Sequence, residues 1–197
     1  MNIILPEIKS VRLTGFSPIF NETVEFDLKK LFIILGGNGL GKTTILQSVV
    51  YAIAGPTNSN IEPEKSDRWG REYFKQRLED FENAHVEIEF VLGESLISLK
   101  RGFNSDSIME FNLNNELITD KPKEANNFFE QFITENAGYN SLLDFNYVIH
   151  KLCYLSEKRE NLVWDVNAQT RILMRLVSDA TKEIEFNNKS TSLLLIE

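Results

Sequence analysis

The sequence predicts a mixed α/β fold in which strands, an antiparallel β meander and several helices follow one another. Three observations support this. Residues 36–44 are rich in glycine and lie between a short apolar run and a stretch with helical periodicity. Residues 85–119 alternate apolar and polar side chains, as half-buried strands do. Residues 121–138 and 167–186 place apolar side chains at helical spacing, which predicts two further helices.

The first fifty-five residues predict two strands, then a strand–turn–helix unit. Residues 8–16 alternate in polarity, and residues 23–28 predict a partner strand joined to them by a loop. The apolar run 31–35 has the length of a buried strand. Residues 45–54 carry apolar side chains at helical spacing, and Gly55 marks the end of that helix. The glycine-rich segment is therefore expected to be the turn between a strand and a helix.

This turn reads "GGNGLGKTT" and fits the spacing G-x-x-x-x-G-K-[ST] of a phosphate-binding loop, or P-loop. Glycines let successive backbone N–H groups approach a phosphate, and the following helix adds its positive N-terminal end. We expect Lys42 to contact the β- and γ-phosphates of a bound nucleotide and the Thr43 hydroxyl to bind Mg²⁺. The predicted nucleotide-binding residues are Gly36, Gly37, Asn38, Gly39, Leu40, Gly41, Lys42, Thr43 and Thr44.

In the rest of the chain, the sequence indicates a densely charged segment, a meander and helices. Residues 67–81 are densely charged with interleaved aromatics, which indicates either a helix or ordered loop with aromatics packed inward, or a surface for a partner. The meander is predicted as strands 85–93, 95–103 and 107–119. Residues 142–157 predict a helical turn followed by a strand. The turn signals within the meander are Gly93-Glu94 and Asn114-Asn115.

Composition restricts the class of protein. The chain has 197 residues and a net charge of -8, which argues against general electrostatic wrapping by nucleic acid. The single cysteine, Cys153, excludes an intrachain disulfide and favours a reducing compartment, so we expect a cytoplasmic protein. No apolar run approaches membrane-spanning length, and no membrane partner is expected.

Two segments carry a family resemblance. "IKSVRLTGF" and "FIILGGNGLGKTTILQSVVYAI" resemble the opening strand and P-loop of the SMC/RecN/RecF group of ABC ATPases, and Asn38-Gly39 favours this group over other P-loop classes. The resemblance implies an ABC-type half-head with an antiparallel β meander, a helical subregion and the start of a coiled-coil arm. It implies an N-terminal lobe over residues 1–181, with 182–197 ending the coiled-coil root. The string "YLSEKRENLVWD" looks like the SMC-like subunit of Lamassu-type anti-phage systems.

The resemblance also implies which parts of the site lie elsewhere. In the family, a Q-loop glutamine touches Mg²⁺; here Ser156 and Glu157 occupy that region, and either is expected to contact the metal directly or through water. The signature motif and the Walker B carboxylates belong to a C-terminal half, and "SLLLIE" lacks the Asp expected before Glu197. We therefore expect no catalytic residue in this chain, and ATP hydrolysis only with the C-terminal half of the same head.

The implied partners are that C-terminal half, a second copy in a homodimer with ATP sandwiched between heads, DNA, and accessory subunits. The helix over residues 167–186 is expected to continue into an antiparallel coiled-coil arm. Two alternatives stay open: a self-contained P-loop NTPase such as a kinase-like enzyme, and a non-catalytic module with a vestigial loop. Turnover by the isolated chain separates the first alternative from the SMC-like hypothesis, and nucleotide binding separates the second.

Overall fold

The structure is a computed structural model that describes residues 3–28, 31–56, 71–105 and 107–154, together with residues 166, 169 and 170. Its strands are β1 (Glu7–Thr14), β2 (Val24–Asp27), β3 (His85–Leu92), β4 (Ser95–Gly102), β5 (Ile108–Leu113) and β6 (Glu116–Thr119). Its helices are α1 (Lys42–Ala54), α2 (Arg71–Lys75), α3 (Pro122–Asn136), α4 (Leu142–Val148) and a π-helix (Ile149–Cys153).

The strands form one antiparallel sheet in the order β2-β1-β3-β4-β5-β6. The predicted meander is confirmed, because β3 to β6 follow one another both in the chain and in the sheet. Gly93 sits in the left-handed region at φ 68°, and Asn114 and Asn115 do so at φ 52° and 67°, as tight hairpin turns require. The apolar residues of the alternating pattern form the inner face, against which α1 packs on β3 and β4 and α3 on β5.

The outer face of the sheet carries a row of alternating charges, here called the ion-pair row. Arg12 lies 2.6 Å from Glu25 and 3.2 Å from Glu87, its neighbours in register on β2 and β3. Lys100 lies 3.7 Å from Glu87 and 3.1 Å from Glu110 on β5. The hydrogen bond from Arg12 to Glu25, helped by both carboxylate charges, raises the pKa of Arg12. Within this row, each cation is neutralised by acids on both sides.

The predicted buried strand at residues 31–35 is wrong. These residues lie in none of the strands of the described part, and Leu31 and Leu35 are 78% and 87% exposed. Two side chains tie the segment to the rest of the protein: Phe32 lies edge-on to Phe26 with centroids 5.7 Å apart, and Ile34 packs against the core. A short all-apolar run is typical of a strand buried on both faces. Such a strand needs neighbours, and the described sheet does not supply them.

The strand predicted at the end of residues 142–157 is also wrong as far as Tyr154. The chain instead forms α4 and then the π-helix, which the Tyr154 N–H closes on the Ile149 carbonyl at 2.9 Å. The apolar residues that suggested a strand bury one helical face, because Phe145, Val148 and Ile149 pack into the core.

The inward packing predicted for aromatics in residues 67–81 is confirmed for Phe74. Its ring lies 5.3 Å from Tyr51 and 4.1 Å from Phe103 by centroid, and it is fully buried. The predicted helix over residues 167–186 is described only at residues 169 and 170, which are helical. The coiled-coil arm, the boundary at residue 182 and the 192–197 run lie outside the described residues. No helix in the described ranges has the length and apolarity to cross a membrane.

A matched pair of glycine substitutions tests the packing of the β1 end. Gly15 has φ 75°, and a Cβ there would lie 2.8 Å from the Ala84 Cα, so Gly15→Ala combines backbone strain with a backbone clash. Gly39 has φ 82° with open space around it, so Gly39→Ala carries the backbone strain alone. We expect Gly39→Ala to lower the free energy of unfolding by about 1 kcal/mol and Gly15→Ala by about 2–4 kcal/mol. Urea unfolding checks this, and equal losses would contradict the packing.

Candidate nucleotide-binding site

The glycine-rich loop lies between the exposed segment 31–35 and the first turn of α1. Gly39 and Gly41 both adopt positive φ, near 80°, which side chains disfavour. At Gly41 there is a second restriction, because a Cβ would lie 2.6 Å from the Ile19 Cγ2 in the β1–β2 connection. The loop therefore depends on glycine for its backbone conformation and, at Gly41, for close packing against another segment.

Lys42 folds back across this loop. Its Nζ donates hydrogen bonds to the carbonyls of Gly36 at 2.7 Å and Gly37 at 2.6 Å. These bonds join the start of the loop to the start of α1. They also hold the ammonium group beside the loop backbone, where it can act on an anion bound there.

No side chain of the described residues caps the N-terminus of α1. Gly41 is the N-cap residue, and the first turn contains no acidic residue. By contrast, Ser141 caps α4 by accepting a hydrogen bond from the Asp144 N–H at 3.1 Å. The N–H groups of the first turn of α1 and the positive end of its dipole are thus available to a phosphate. This combination with Lys42 fits a nucleotide phosphate chain.

The two threonines after Lys42 point to different surroundings. Thr43 is exposed, so its hydroxyl is accessible to a metal ion at the loop. Thr44 is buried, and its Oγ1 lies 3.3 Å from the Tyr73 hydroxyl. Of the predicted site residues, Thr44 can therefore contribute its backbone N–H but not its hydroxyl. The described residues contain no group of three His, Cys, Asp or Glu side chains that could hold a metal by themselves.

The remaining predicted residues fall into two sets. Asn38, Gly39 and Leu40 are exposed at the tip of the loop, next to Lys42. Ser156 and Glu157 lie outside the described residues, so their predicted metal contact remains a prediction.

Sequence reasoning missed the contacts that hold α1 in place. Gln47 donates a hydrogen bond to the Tyr154 hydroxyl, and the Tyr51 hydroxyl donates to the Gly102 carbonyl at 2.9 Å. The buried Arg101 donates through Nε to the Ala52 carbonyl at 3.3 Å, near the end of the helix. The polar residues at positions 44, 47 and 48 share one helix face. That pattern is the sequence feature from which polar contacts of α1 could have been predicted.

The chain matches the AAA domain family over residues 10–195. It belongs to that family.

Among curated proteins, it is similar to the SbcC component of the nuclease SbcCD of Staphylococcus saprophyticus, 32% identical over 94 residues. It is also similar to the DNA double-strand break repair Rad50 ATPase of Methanococcus maripaludis, 24% identical over 138 residues. These matches cover 46% and 69% of this chain but only 9% and 13% of the relatives.

A solved structure from work on the ATP-driven dimerization and DNA-stimulated activation of SMC ATPases is also similar. It superimposes with a TM-score of 0.40 at 19% identity, covering 88% of this chain and all of the other. The predicted likeness to the N-terminal half of an SMC/RecN/RecF-type ABC ATPase head is confirmed by the family match together with the SbcC and Rad50 relatives.

Replacing Lys42 tests its hold on the loop without any ligand. In Lys42→Met, the Gly36 and Gly37 carbonyls lose their cation, so we expect amide exchange across residues 36–41 to become about tenfold faster, the scale of one charge-assisted hydrogen bond. Hydrogen exchange with mass spectrometry measures this. Lys121→Met is the control, since Lys121 pairs with Glu124 on a separate surface. Unchanged exchange in Lys42→Met would show that the loop is held by other contacts.

Proposed function

We propose that this chain is the ATP-binding, N-terminal part of an SMC-like ATPase head that acts on DNA. The loop residues 36–44 would hold the phosphates, with Lys42 at the β- and γ-phosphates and the Thr43 hydroxyl on Mg²⁺. Support comes from the open helix N-terminus, the folded-back lysine and the family match. A bound nucleotide supplies the phosphoryl group for hydrolysis, and this chain's part is to bind and orient it.

The exposed segment 31–35 is the observation that carries the proposal of a missing half. It places an apolar run of strand length, with Leu31, Ile33 and Leu35 exposed and outside the described strands, directly before the phosphate loop. An exposed apolar run of strand length favours the addition of a neighbouring strand, which would cover its side chains. We propose that strands of the C-terminal half pair with this segment and complete a core sheet under the loop.

The same half would bring the groups that this chain lacks. Phosphoryl transfer depends on positioning and electrostatic stabilisation, and Lys42 with the α1 N-terminus can stabilise charge on the phosphates. The C-terminal half would supply the carboxylate that orients the attacking water. It would also carry the signature motif, which would reach the ATP from the second head of an ATP-sandwiched homodimer. We propose Ser156 and Glu157 as metal contacts within this chain.

DNA would be bound by the assembled dimer. The net charge of -8 and the neutralised ion-pair row argue against the outer sheet face as a phosphate-binding surface. The SbcCD and double-strand break repair relatives favour a role in DNA repair or end sensing. Anti-phage defence with accessory subunits is the alternative role on DNA. We further propose a cytoplasmic location and a lobe boundary near residue 181.

ATP binding should depend on Lys42. Because its ammonium would face the phosphates, we expect Lys42→Ala to weaken ATP affinity at least about tenfold, the scale of one lost charged hydrogen bond. Calorimetric titration with Mg²⁺ and ATP measures this. Lys75→Ala is the matched control, since it removes an exposed lysine on α2. Equal affinities in the wild type and Lys42→Ala would refute the phosphate assignment.

Hydrolysis should require the other half. The isolated chain is expected to release phosphate at well below about 1 s⁻¹, the low end of ordinary enzymes. Adding the separately expressed C-terminal half should raise the rate and slow hydrogen exchange at residues 31–35. Lys42→Ala controls for contaminating ATPase. Turnover near 1 s⁻¹ by the chain alone would favour the self-contained enzyme, and unchanged exchange at 31–35 would contradict strand addition there.

A further inference from the structure

One face of α1 is both buried and polar. Thr44, Gln47 and Ser48 are each less than 5% exposed and lie at the helical spacing that brings side chains together. Burying polar groups is costly unless they are hydrogen-bonded. The Ser48 hydroxyl is hydrogen-bonded within the helix, since it donates to the Thr44 carbonyl at 2.7 Å. The other two side chains reach tyrosine hydroxyls of segments distant in the chain.

The longer-range of these contacts joins Gln47 to Tyr154. Gln47 lies about one helical turn after Thr43 in the same rigid helix. Its side-chain amide donates to the phenol oxygen of Tyr154, 107 residues later. A buried amide held in this way gives a direct mechanical connection between the helix that begins at the phosphate loop and the segment that carries Tyr154.

Tyr154 is directed by the π-helix. Its N–H closes the last turn on the Ile149 carbonyl at 2.9 Å, so donor and acceptor are five positions apart in the chain. In an α-helix, each residue rotates the side-chain direction by about 100°. The extra residue of the π-turn therefore directs Tyr154 to the position that a different residue would occupy in a continuous α-helix. π-turns are rare in proteins, and those that do occur are often found at functional sites. The π-helix packs on α1, which makes the contact part of one interface.

We propose that Tyr154 is a positioning residue that couples the phosphate loop to the π-helix through Gln47. The inference rests on the proposed function, since it requires that the loop binds ATP. A ligand that binds the N–H groups of the first turn of α1 stabilises every contact on which the binding geometry of that helix depends. The Gln47–Tyr154 contact is such a contact, and the turn from Ile149 to Tyr154 is the element that it holds. Nucleotide at the loop thereby stabilises the π-helix.

Hydrogen exchange of the peptide spanning residues 149–153 measures the coupling. In the wild type, saturating ATP with Mg²⁺ is expected to slow exchange there by about threefold or more. In Tyr154→Phe, which keeps the ring and loses the hydroxyl, less than half of that effect should remain. Tyr139→Phe is the matched control, because it removes a hydroxyl that donates to the Ile4 carbonyl at 3.1 Å, and it should behave as the wild type.

Breaking the same contact from the other side tests its identity. Gln47→Leu should reduce the effect of ATP on residues 149–153 as Tyr154→Phe does, and the double variant should lose no more than either single variant. Additive losses would mean that the two side chains act separately and would overturn the proposal.

Titration of each variant separates this inference from the proposed function. For each variant, the ATP concentration in the exchange experiment is chosen from its own calorimetric titration so that the site is saturated. A change in ATP affinity is then not mistaken for a loss of coupling. Failure of the wild type to bind ATP would overturn both proposals. ATP binding by the wild type without slower exchange at residues 149–153, or with an equal effect in Tyr154→Phe, would overturn the coupling alone.

Discussion

The architecture depends on α1 being fixed along its length while its N-terminus is left open. The helix is held at its end by Arg101 on the Ala52 carbonyl and at its last turn by Tyr51 on the Gly102 carbonyl. Gln47 is held one turn after the loop. An anion site made of backbone N–H groups works only if those groups are already oriented. The meander supplies that rigidity, because β4 carries Arg101 and Gly102 and presents both to the helix.

A residue outside the loop restricts the loop's conformation. Ile19, in the connection between β1 and β2, fills the space beside Gly41 that a side chain would need. The first hairpin of the sheet thus limits the loop conformations, while Lys42 joins the two ends of the loop through the Gly36 and Gly37 carbonyls. The segment before the loop is held more weakly, by the contact of Phe32 with Phe26 and by the packing of Ile34 against the core. Leu31, Ile33 and Leu35 are nevertheless exposed, at the point where strand pairing by another part of the head is proposed.

Local patterns predicted the local features. Alternating polarity predicted β3 to β6 and their turns, and the glycine and lysine spacing predicted the loop and the start of α1. Burial of residues 31–35 could not be judged from their own polarity, because it depends on neighbouring strands. The π-helix has no sequence signature that distinguishes it from an apolar strand of the same length. The contacts of Gln47 and Thr44 join residues far apart in the chain, which periodicity cannot identify.

The ion-pair row restricts how the outer face of the sheet can change during evolution. Its inner members each lie between two opposite charges, so reversing Glu87 alone would align three cations across β1, β3 and β4. Glu25 and Glu110 end the row, so their loss removes one exposed pair worth less than about 1 kcal/mol. Substitutions at the centre are thus expected to occur as compensating exchanges between neighbouring strands, whereas the ends drift independently. Correlated variation along this row would report the strand register directly from sequences.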